Sequence, residues 1–164
     1  MDAPEPAYRV DRTLLRGELP LLVLLLADVA FGLWVLPRLP ERVPVHWNLA
    51  GEADRYGAAW ENALLMPALA IVLWAVLLVL PLADPLRRNY ARFPETLKLF
   101  RWLVPLMIVA FHLVVALGSL GAPIDSGRGI GVVLAVVFVV LGNSMGKLKH
   151  NWFIGIRTPW TLAS

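Results

Sequence analysis

Residues 19–36 read LPLLVLLLADVAFGLWVL, an apolar run of about 18 positions in which Asp28 is the sole charge. At about 1.5 Å per residue, a helix of that length nearly crosses a hydrocarbon core of about 30 Å. The run ends in Pro37-Arg38 with no small-residue cleavage pattern, so it reads as a membrane helix rather than a cleaved leader. Three more blocks follow: Ala63 to Ala83, Trp102 to Ala122 (interrupted by His112), and the shorter Gly129 to Gly146. Hydrophobic residues make up 59% of the 164 and charged residues 16%, against about 25% charged in a soluble domain. The mean hydropathy is +0.67. The expectation is a single all-α membrane domain, an integral four-helix bundle with short loops.

Arginine and lysine set the orientation. Arg9, Arg12, Arg16, Arg87, Arg88, Arg92, Lys98, Arg101, Lys147, Lys149 and Arg157 make 11 on one set of flanks; Arg38, Arg42, Arg55 and Arg128 make 4 on the other. The positive-inside rule places the first set in the cytoplasm of a bacterial inner membrane. Both termini, the loop 84–101 and the tail 147–164 are then cytoplasmic, and the loop 37–62 is external. This asymmetry explains most of the basicity (pI about 9.7). No basic run is interleaved with aromatics on a soluble fold, so nucleic acid is not an expected partner. With no cysteine, disulfides, thiolate metal sites and thiol nucleophiles are excluded.

The external loop has the densest chemistry. Val43 to Gly57 reads VPVHWNLAGEADRYG and packs His46, Trp47, Asn48, Glu52, Asp54 and Tyr56 around Gly51. Pro37, Pro40 and Pro44 rule out a continuous helix there, so a stiff, irregular lobe is expected. One reading makes the loop a binding surface. The other has Asn48, Gly51 and Asp54 building turns while Trp47, Tyr56 and Trp60 join the interfacial aromatic belt. His46, Glu52 and Asp54 are suitable ligands for a divalent metal, although no paired-histidine spacing supports a site. No other cofactor is implied.

Asp28 lies about ten residues into the first helix and His112 about eleven into the third, so both fall near mid-bilayer. An ionisable group at that depth faces a partner or a water pocket. The helix-face neighbours Leu24, Leu25, Phe31 and Gly32 offer Asp28 no side-chain hydrogen bond, which makes His112 its expected partner. The pair is either structural glue between helices or the anchor of a relay, a binding site or a dyad. One carboxylate and one imidazole do not define a reaction, so a membrane-embedded enzyme or transporter is the alternative rather than the leading reading. Further on, Gly142 to Leu162 reads GNSMGKLKHNWFIGIRTPWTL. It mixes cations with Trp152, Phe153 and Trp160, as an interfacial segment facing lipid phosphates or a partner does.

Two of these stretches resemble the SdpI-type bacterial immunity family. The run LPERVPVHWNLAGEADRYG is similar to the domain of unknown function that opens many such proteins, on Pro44, His46, Asn48, Gly51 and Asp54. The tail is similar to the family signature on Asn143, Lys147, Asn151, Gly155, Arg157, Thr158, Pro159 and Trp160. The resemblance implies a multipass protein that shields cells from an amphipathic killing peptide outside and relays its presence to a cytoplasmic repressor. Longer relatives continue into two further helices, whereas this sequence stops at Ser164, so activities that need those helices lie beyond the resemblance.

Overall fold

A computed structural model of the chain describes residues 7–155. Helix α1 spans Arg12–Val35 and is capped by Asp11, whose carboxylate accepts from the Leu14 amide at 2.9 Å. A short 3-10 turn then runs to Arg38. Helix α2, Met66–Val79, is entered through a π-helical segment, Glu61–Leu65, and left through a 3-10 turn, Leu80–Ala83. Helices α3, Pro94–Ser119, and α4, Ser126–Met145, complete the set. All four, counted with their adjoining turns, are long and apolar enough to cross a membrane. Helices α1 and α3 begin earlier than their apolar runs because hydropathy marks the lipid-facing part of a helix and misses a polar first turn.

The expectation of an all-α chain with short loops needs correction in the segment between α1 and α2. Strands β1, Arg42–Trp47, and β2, Ala53–Ala58, form an antiparallel hairpin there, with irregular register on both sides of His46. Pro44 does not prevent it. In a two-stranded ribbon both strands are edges, and an edge position tolerates a missing donor; Pro44 sits opposite Tyr56.

One face of α1 is buried at Glu18, Leu21, Leu25, Asp28, Gly32 and Val35, a three-and-four spacing that keeps a single stripe turned inward. The matching stripe of α3 includes Arg101, Pro105, Ile108, His112 and Val115. Between them lie an apolar layer of Leu21, Leu25, Ala70, Ile108 and Val109 and a second of Val35, Ala63 and Ala116. Close approach is built in at Gly32, where an added Cβ would lie 2.0 Å from the Ala63 carbonyl oxygen. The outward faces are apolar too: Val23, Leu33, Val132, Phe138 and Val139 are each more than 60% exposed. A water-facing surface of that kind would be an aggregation liability, whereas a lipid-facing one is the ordinary case.

Candidate functional site

At one end of the bundle the hairpin walls one side of a half-open cavity of about 270 Å³, lined by residues that include His46, Trp47, Asn62, Met66, Phe111 and Ile130. The hairpin turn is fixed by Asn48. Its Oδ1 accepts from the amides of Ala50 at 2.9 Å and Glu52 at 3.0 Å, an Asx turn. Gly51 has φ +80° and packs so closely on the start of α4 that a Cβ on Gly127 would sit 1.9 Å from its carbonyl oxygen. Asp54 reaches across the ribbon and takes His46 Nδ1 at 2.5 Å. An acidic acceptor on Nδ1 leaves Nε2 as the free polar atom of the ring. Tyr56 is exposed, and Trp47 forms part of the cavity wall.

The three expected metal ligands do not converge. Glu52 Oε2 instead accepts from Asn48 Nδ2 at 3.1 Å, and among the described residues no group of three or more His, Asp or Glu side chains is arranged to hold an ion. A turn side chain is occupied by its own turn, and that local geometry directs Glu52 away from the His46–Asp54 pair.

Deeper in, His112 Nδ1 and Asp28 Oδ1 are 2.8 Å apart. The imidazole is wholly buried and lies against Phe31 with centroids 5.4 Å apart and the rings tilted by 60°, and the His112 backbone carbonyl accepts from Asn62 Nδ2 at 3.5 Å. Asp28 Oδ2 and His112 Nε2 have no hydrogen-bond partner among the described residues, and the pair lies apart from the hairpin cavity.

A second polar contact, which sequence reasoning missed, joins the same two helices nearer the other end. Glu18 Oε1 accepts from Arg101 Nη2 at 2.6 Å, while Oε2 accepts from the indole N–H groups of Trp74 and Trp102, each at 3.0 Å. Both charged residues are under 5% exposed. The signal was available: Glu18 lies in helical register with Leu21, Leu25 and Asp28, on the inward stripe rather than in a flank. The residues on α1 and α3 that form the two contacts are ten and eleven positions apart, about 15 Å along the axes, with an apolar layer between.

The tail folds back onto the segment between α2 and α3. Asn151 Nδ2 donates to the carbonyls of Lys149 and Ile154, and its Oδ1 accepts from the amides of Phe153 and Ile154. Tyr90 donates to Asp84 Oδ2 at 2.7 Å, and the same carboxylate oxygen accepts from the Trp152 amide at 2.8 Å. Gly155 has φ +119° beside Leu148, where a side chain would be strained. Tyr8 packs on Tyr90 and donates to the Leu78 carbonyl at 2.8 Å. Burial, reinforced by Glu18 and opposed by Arg101, pushes its phenol above the ordinary range. Asn143 and Lys147 are exposed, and Gly142 and Gly146 have no heavy atom within 4 Å of an added Cβ. Arg157, Thr158, Pro159 and Trp160 lie outside the described residues.

Residues 23–71 match the family described as Domain of unknown function (DUF1648). Over 127 residues the chain is 24% identical to the Immunity protein SdpI of Bacillus subtilis (strain 168), which covers 76% of this chain and 57% of that protein. The chain therefore spans little more than half the length of that curated relative. No solved structure matches. Both likenesses support an SdpI-type family, and with the four apolar helices they support a multipass membrane protein.

Proposed function

We propose that this chain is an SdpI-like immunity module of the bacterial inner membrane, with the hairpin outside and the basic end in the cytoplasm. It protects the cell by engaging a membrane-active peptide at the hairpin end. The observation that carries this reading is where the family match falls. Residues 23–71 include Asp28 and Gly32 on α1, His46, Asn48, Gly51 and Asp54 of the hairpin, and Asn62 in the cavity wall. The segment shared with the family thus supplies the hairpin side of the cavity together with Asn62 and Met66, and Phe111, Val115 and Ile130 complete the lining. The docked tail presents Lys147, Lys149 and His150 at the opposite end, a basic surface suited to a cytoplasmic regulator.

Survival of peptide-sensitive cells expressing the protein, against cells carrying an empty vector, is the direct test. Protection by the unaltered chain that falls in the His46→Ala variant is the expected outcome. Equal killing of both strains by a given peptide removes the reading for that peptide. Reporter fusions at the two ends test the orientation, and an external signal from either one refutes it.

A further inference from the structure

The hairpin cavity has a chemical preference that can be read from its walls and from one unpartnered atom. Pro44, Trp47, Met66, Phe111, Val115 and Ile130 make it mostly apolar. Its volume of about 270 Å³ falls below the range of about 300–1,000 Å³ common for drug-sized ligands, so it holds one large side chain rather than a folded segment. Asn62 shares the wall and is 2% exposed. Its Nδ2 faces the His112 carbonyl at 3.5 Å, an arrangement that a flipped amide would replace with oxygen against oxygen. That leaves Oδ1 without a hydrogen-bond partner among the described residues, an acceptor whose desolvation is uncompensated until a donor arrives. His46, held through Nδ1 by Asp54, is the second polar residue of the lining.

We propose that this cavity binds a single donor-bearing aromatic side chain, an indole, from a peptide laid across the hairpin end of the bundle, with Asn62 Oδ1 as its acceptor. The proposal rests on the protective reading above and names the kind of residue by which the peptide is recognised. An indole supplies a flat apolar body and one N–H that donates and cannot accept, which complements an apolar chamber with an unpaired carbonyl oxygen. A benzyl side chain would leave Asn62 unpaired, and so would a lipid acyl chain. Because Asn62 is almost fully enclosed, a donor reaches its Oδ1 only with a side-chain shift in the wall, where Met66 is the one unbranched, flexible residue.

Titration of the full chain in lipid nanodiscs with indole and with 1-methylindole tests this without knowledge of the peptide. Indole is expected to saturate one site, and 1-methylindole, which lacks the N–H, to bind about tenfold more weakly, equivalent to about 1.4 kcal/mol. Asn62→Leu is expected to erase that difference. Since a change at so buried a position can impair folding, Ile130→Trp is the second variant; it fills the chamber from α4 and abolishes indole binding, with helix content checked by circular dichroism. Equal affinity for the two probes in the unaltered protein overturns the proposal. So does indole binding that survives Ile130→Trp, or a co-purified lipid that indole cannot displace. Failure in cell survival with indole selectivity intact would instead remove the protective role and leave the cavity's preference standing.

Discussion

Replacing Glu18 by leucine takes one carboxylate away from three donors at once. Arg101 Nη2 loses its partner at 2.6 Å, and the indole N–H groups of Trp74 and Trp102 each lose an acceptor at 3.0 Å. Breaking a buried ion pair from one side costs about 3–5 kcal/mol because the remaining charge is stranded. The two unpaired indoles place Glu18→Leu near 5 kcal/mol on that scale. Arg101→Leu leaves a carboxylate still held by two indoles, and its expected cost is about 3 kcal/mol. With both changed no charge is stranded and only the indole N–H groups remain unpaired, so the double variant should lose about 2 kcal/mol, far below the sum of about 8. Unfolding in mixed dodecylmaltoside and dodecyl sulfate micelles, followed by tryptophan fluorescence, measures all three, and Trp74 and Trp102 report on the site itself. If the single costs add in the double variant to within about 0.5 kcal/mol, Glu18 and Arg101 do not act as a unit and the buried-pair argument fails.

The same assay serves His112→Leu, expected to cost about 3 kcal/mol by leaving Asp28 unpaired at mid-bilayer; adding Asp28→Leu should restore most of it. Gly32→Val forces a branched side chain against the Ala63 carbonyl and should destabilise by at least about 1–3 kcal/mol, read as a lower transition midpoint. In Asn151→Ala the tail loses the side chain that ties it together, so limited proteolysis should cut between Lys149 and Gly155 many times faster while α1 to α4 stay intact. Tyr8 binds its proton more tightly folded than unfolded, so its contribution is complete below about pH 10 and is lost as pH rises through its higher folded value. Alkaline melting curves should show that loss in the unaltered protein and not in Tyr8→Phe.

The four helices were legible because lipid imposes one requirement, a long apolar run with almost no charge, and Leu19 to Leu36, with Asp28 alone, states it in plain composition. The hairpin was not, because Pro44 argues against a strand by local preference, and only its pairing with Tyr56 across two edge strands shows why it is tolerated. Asp28 and His112 could be matched by depth because each is isolated in its apolar run. Glu18 and Arg101 were hidden by the opposite circumstance: charges near a helix end look like flanks, and Arg101 was counted as one of the cations that set orientation. Asn62 gave no signal, since a polar residue beside Glu61 reads as the edge of a loop. Its place in the cavity wall depends on a helical irregularity that composition does not reveal.

That irregularity, the π-helical turn Glu61–Leu65, has a consequence for how the chain tolerates insertions. A π turn carries one more residue than the α-helical turn it replaces. Deleting a single residue there would let it close into an ordinary helical turn with little rotation of its flanks, but the two buried side chains of the segment, Asn62 in the cavity wall and Ala63 in the second apolar layer, could not both keep their places. The number of residues in this stretch sets which side chain meets the cavity, so a library of one-residue insertions and deletions would separate a chain with an intact cavity wall from a merely folded one.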